Sequence, residues 1–106
     1  MILHFKDHGA VAPGGLLPIC AMKSSASSEN FYWANLNKTC RLFLFKDSST
    51  LSMLNTESNK WVTLSKMSKT DKGWRGIFGW LYLQIIKSPL PEGAPYILYY
   101  SNSHEQ

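Results

Sequence analysis

The chain has 106 residues, 44% hydrophobic, 13% aromatic and 17% charged, with a formal net charge of +4. That length admits one domain and excludes large α/β barrels and full dinucleotide-binding folds. The low charge excludes a highly charged disordered chain, and the basic balance favours anionic partners (nucleic acid, acidic lipid, acidic protein surfaces) without choosing among them.

Met1 to Lys6 carries Ile2, Leu3 and Phe5, a short strand pattern. Gly9 to Pro18 is punctuated by Gly and Pro and reads as irregular. The uncharged stretch Gly9–Met22 has the length of a signal-peptide core, but Pro13, Gly14, Gly15 and Pro18 break the helix such a core needs. Leu17-Pro18-Ile19-Cys20 has a bulky Ile19 where a lipoprotein cleavage site needs a small residue. An intracellular location is therefore favoured over secretion, and the Asn37-Lys38-Thr39 glycosylation triplet matters only if the chain is exported. Lys23–Asn30, rich in Ser, reads as a linker, and residues 1–30 are expected to be a flexible N-terminal segment.

After Asn30 the character changes. Phe31, Tyr32 and Trp33 open an aromatic region. In Cys40–Lys46, Leu42 and Leu44 share one strand face while Phe43 and Phe45 share the other, a pattern that wants cover on both sides. Asp47-Ser48-Ser49 is a turn signal. The runs Leu51–Leu54 and Lys60–Lys66 flank Asn55–Asn59, which predicts a hairpin. Lys60–Lys66 has the cleanest period of two, with Val62 and Leu64 opposed to Trp61, Thr63 and Ser65. Lys69–Gly73 is a second turn signal. Trp74–Lys87 is the dominant apolar segment and reads as one strand, since Gly76 and Gly79 count against a helix. Ser88–Pro95 is a Pro-rich loop, Tyr96–Tyr100 a last strand, and 101–106 a polar tail.

The expected fold is mostly β. Residues 31–100 form a small antiparallel meander or partly open barrel of four or five strands, behind a disordered N-terminal third. A low-order, partly disordered chain is the alternative, and so unpatterned a sequence is also what a recently arisen reading frame gives.

Residues for chemistry are sparse. His4, His8 and His104 fall in segments expected to be irregular, and a mobile base cannot hold near-attack geometry. No serine has a nucleophile-elbow context, and no phosphate-cradling glycine motif occurs. The reading is therefore non-enzymatic, without cofactor. His4 and His8, four apart, match no zinc spacing with Cys20 and Cys40, so no metal is expected. Cys20 and Cys40 either close a disulfide loop contributing about 3 kcal/mol or stay free thiols in a reducing compartment; the second reading is preferred.

Binding is the leading function, with a protein partner first. An anionic membrane surface is the rival. It would be met by Phe78, Trp80, Leu81 and Tyr82 in the 74–100 region, flanked by Trp74, Arg75 and Lys87. The third reading is single-stranded nucleic acid, held by Lys60, Trp61, Lys66, Lys69, Lys72, Trp74 and Arg75. Those five cations stand against Asp71 alone within 60–75, and cationic grooves with stacking aromatics hold single strands. Ser88 before Pro89 is a candidate phosphorylation site beside Lys87.

Overall fold

The computed structural model describes residues 16–25, 29–88 and 94–102. The expectations for Met1–Lys6, the three histidines, the centre of the Pro-rich loop and the last residues of the tail lie outside them.

Nine strands follow in chain order: β1 (Leu17–Ser24), β2 (Phe31–Asn37), β3 (Cys40–Phe45), β4 (Thr50–Asn55), β5 (Lys60–Lys66), β6 (Ser68–Thr70), β7 (Gly73–Phe78), β8 (Leu81–Lys87) and β9 (Tyr96–Asn102). They make one sheet in the order β5-β4-β3-β2-β1-β9-β8-β7-β6, and every neighbouring pair is antiparallel. β9 pairs with β1, Cys20 opposite Leu98 and Met22 opposite Tyr96, so the first and last strands lie side by side. The two edges, β5 and β6, succeed one another through Met67. Met67 is buried, and its N–H donates to the Ser49 carbonyl at 2.6 Å. A Cβ on Gly76 of β7 would stand 2.6 Å from Met67 Sδ and 2.7 Å from Ser65 Oγ, so the end of β5 approaches β7 closely where the short β6 leaves off. The sheet is a nearly closed, antiparallel, barrel-like structure. Closure answers the problem of exposed edges, since few unpaired N–H and C=O groups remain to recruit other chains.

The alternation of side chains decides what lies inside. Leu42 and Leu44 of β3, Leu51 of β4, Met22 of β1, and Leu83 and Ile85 of β8 point inward and are fully buried. Their burial is the main stabilising term, roughly 1.5–3 kcal/mol for each large side chain. On the outer face of β8 and β9, Ile86 packs on Ile97 and Tyr99 beneath Leu16.

Four expectations change. The region 31–100 was expected to hold four or five strands and carries eight, β2 to β9, because Phe31–Asn37 and Ser68–Thr70 are strands of their own and the long apolar segment divides in two. Flexibility was expected over the whole of 1–30, but Leu17–Ser24 is β1, between β2 and β9. Pro18 suits this strand because the register shifts between Pro18 and Cys20; a bulge accommodates a residue without an N–H, and both Ile19 and Cys20 are buried there. Trp74–Lys87 is a hairpin and not one strand. Phe78 pairs with Leu81 across Gly79-Trp80, with Gly79 at φ +60°, the two-residue turn that needs glycine at its first central position. The strict period of Lys60–Lys66 breaks at a second bulge, which buries Leu64 and Ser65 together.

The turns expected at Asp47–Ser49, Asn55–Asn59 and Lys69–Gly73 form, and one at Lys38-Thr39 that was not foreseen joins β2 to β3. Asn55 Oδ1 accepts from Glu57 N at 2.9 Å and Ser58 N at 3.1 Å, and Asn59 takes φ +61°. Thr70 Oγ1 accepts from Lys72 N at 3.2 Å and Gly73 N at 3.1 Å. Each side chain replaces backbone partners that the turn leaves unsatisfied. Ser88 N donates to the Pro95 carbonyl at 2.9 Å and pinches together the ends of the Pro-rich connection.

Candidate functional site

The five cations of 60–75 do not all lie together: Lys60 stands at the opposite end of β5 from Lys66. Lys60 begins β5 beside the Asn55 turn, and Lys66 ends it, opposite Thr50. Lys72 lies in the β6–β7 turn, while Arg75 is exposed on β7, opposite Ser68 and Gln84. Lys69 pairs with Trp74 and sets its ammonium 4.6 Å from the indole centroid. Trp74 is only 5% exposed. Its position opposite Ile85, an inward residue, turns the ring into the core, so it offers no exposed face for stacking.

Trp61 belongs to a different grouping. It is 51% exposed and sits on the outer face of β2–β5. The registers there set three outward rows: Asn35, Arg41, Leu54 and Trp61; Lys23, Trp33, Phe43, Ser52 and Thr63; and Phe31, Phe45, Thr50 and Lys66. The rings meet across these rows. Phe31 meets Phe43 edge-on at 5.3 Å, and Phe43 stacks on Phe45 at 6.0 Å with an 11° interplanar angle. Trp61 leans over both, at 5.0 Å from Phe43 and 5.9 Å from Phe45. Ser52 opposes both Phe43 and Thr63 in the register and is buried on this face.

Beside the rings stand fixed cations. Lys23 Nζ and Arg41 Cζ each lie 5.2 Å from the Trp33 ring centroid, contacts worth roughly 0.5–1 kcal/mol at an exposed site. Arg41 is held in place because its Nε donates to Asn35 Oδ1 at 3.0 Å. Among the described residues ten Lys and Arg stand against four Asp and Glu. The second face of β3, for which the sequence predicted cover, is thus a half-buried aromatic surface with cations at its margin. Phe31, Trp33, Phe43 and Phe45 were not singled out as a site by sequence reasoning. Their signal was the spacing of two within Phe31–Trp33 and within Phe43–Phe45, which needed the strand registers to become one surface.

The membrane candidates gather at the β7–β8 hairpin tip. Trp80 is 71% exposed in the turn, and Ile77, opposite Tyr82, is 60% exposed. Phe78 and Leu81 instead pack partly against the core. No helix among the described residues is long and apolar enough to cross a membrane.

Cys20 and Cys40 are both free and buried. β2 lies between their strands, a separation of two strand spacings, about 9–10 Å, beyond the roughly 7 Å that a disulfide tolerates between Cα atoms. Burial pushes the Cys20 thiol up to about 12, with the neighbouring Cys40 adding to the shift; burial also raises Cys40. A buried thiol held protonated is a poor nucleophile. Among the described residues no three His, Cys, Asp or Glu side chains group as metal ligands.

Ser88 is half-buried, and its backbone is tied to Pro95. No family model, curated protein or solved structure matches this chain.

Proposed function

We propose that the protein is a non-enzymatic binding module whose working surface is the outer aromatic face of β2–β5, and that this face takes single-stranded nucleic acid. One observation carries the reading: Trp61, half exposed, continues the ring cluster of Phe31, Phe43 and Phe45, with Lys23 and Arg41 at the adjoining Trp33. Unpaired bases present two apolar π-faces and a phosphate on every unit. Rings on a sheet surface give them stacking partners, and cations at the margin meet the phosphates.

Fluorescence anisotropy with a labelled single-stranded oligonucleotide tests this. Binding should weaken steeply as salt rises. Trp61→Ala and Phe43→Ala should each cost about 1–3 kcal/mol of affinity, whereas Arg75→Glu, on β7 opposite Ser68 and Gln84, should cost less than Lys23→Glu, whose ammonium adjoins Trp33. Lack of binding at low salt, or equal binding of the matching duplex, would contradict the proposal. Capture of an acidic protein that is indifferent to Trp61→Ala would instead support the protein-partner reading.

The exposed Ile77 and Trp80 at the hairpin tip favour a second reading, shallow insertion into an anionic leaflet. Co-sedimentation with phosphatidylserine-containing vesicles, abolished by Trp80→Glu, would support it; no binding at low salt would remove it.

A further inference from the structure

The antiparallel order brings the ends of β1, β3, β5 and β8 and the starts of β2, β4, β7 and β9 to one end of the barrel. That end collects Lys23, Lys46, Lys66, Lys69, Lys72 and Lys87 against Glu29, Asp47 and Asp71. Three rings meet there: Tyr32 lies 4.9 Å from Tyr96 and 5.9 Å from Trp74, and Trp74 lies 5.3 Å from Tyr96. Two ammonium groups rest on this cluster. Lys46 Nζ is 4.3 Å from the Tyr32 centroid and Lys69 Nζ is 4.6 Å from that of Trp74. Lys69 is exposed, and its ammonium donates to the Thr70 carbonyl at 2.9 Å. Within this group the Trp74 indole Nε1–H is buried and has no acceptor. An unmet buried donor is costly, and lysines nearby are donors too.

We infer that this basic end of the barrel is a binding site for a small organic anion, an aromatic body bearing an acceptor-only carboxylate or phosphate. The head group accepts from Trp74 Nε1–H and from the Lys46 and Lys69 ammoniums, and the body lies against Tyr32 and Tyr96. The site uses none of Phe31, Trp33, Phe43, Phe45 or Trp61, so it stands apart from the nucleic-acid proposal.

The indole N–H resonances in ¹H–¹⁵N spectra of the full chain provide the test, with benzoate and phenyl phosphate as probes and uncharged benzyl alcohol as control. Trp74 is assigned by Trp74→Phe, or by elimination from Trp33→Phe, Trp61→Phe and Trp80→Phe if that variant does not fold. The Trp74 indole proton should move downfield saturably with benzoate, phenyl phosphate or both, and whichever binds more tightly identifies the head group. The double variant Lys46→Gln/Lys69→Gln should weaken binding about tenfold, and Trp61→Ala should leave it unchanged. A Trp74 indole signal that stays fixed at saturating concentrations of both anions overturns the site. So does one that follows benzyl alcohol equally, shows only exchange with water, or is indifferent to the lysine variant.

Discussion

Two glycines on the same strand-and-turn segment carry opposite constraints. Gly73 has φ +149°, and a Cβ there would overlap the Ile85 carbonyl oxygen. The obstacle is backbone, which cannot swing aside, so Gly73→Ala should destabilise by more than about 3 kcal/mol. Gly79, at φ +60°, faces open space; Gly79→Ala should cost only the left-handed backbone penalty, about 1–2 kcal/mol. Urea melts of the two variants check the difference, and equal losses would contradict it. Cys20 makes a second residue-scale claim. Its thiol rises from an ordinary 9.0 to about 12 on burial, and burial also raises Tyr96, Tyr99 and Tyr100. Above pH 9 the unfolded chain gives up the Cys20 proton that the folded chain keeps. Stability is therefore fully present below that pH and falls as pH rises from 9 toward 12. The melting temperature should drop over that window, less steeply in Cys20→Ala. A thiol-specific reagent should meet no accessible Cys20 in the native protein and two thiols per chain once it is unfolded.

Elements were legible where local chemistry fixed them. The sequence of β3 announced its two faces, and Leu42 and Leu44 are indeed fully buried with Phe43 and Phe45 opposite. Leu42→Ala should accordingly cost about 2–5 kcal/mol, measurable as a shifted denaturation midpoint. The turns at Asn55 and Thr70 were visible because their side chains do local work. β1 was not visible, because Pro18 and the glycines before it read as breakers. Its stability comes from pairing with β9, more than seventy residues away in sequence, and no local propensity reports such a partner. The β7–β8 turn was hidden for a related reason. Trp80 looks like core in a one-dimensional apolar run, and only Gly79 marks the reversal. The candidate site divides the same way: Trp61 was singled out from its own surroundings, but the aromatic surface it joins exists only through the β2–β5 registers.

At the scale of the whole molecule, closure is the claim on which the rest depends. An open meander of β2–β5 would leave Leu42, Leu44 and Leu51 covered on one side of the sheet by nothing but water. β1 and β9 join the two halves, and β5 and β6 meet through Met67, so the inward side chains shelter one another. Both proposed surfaces depend on this arrangement, the aromatic face through β2–β5 and the basic end through Tyr32, Trp74 and Tyr96 on three separate strands. Native-state hydrogen exchange tests closure directly. The amides of Ala21 and Met22 in β1 and of Ile97 and Leu98 in β9 should exchange only through global unfolding, with the same free energy as Leu42 and Leu44. Random-coil exchange at Ala21 and Met22, with β2–β5 still protected, would contradict the closed sheet.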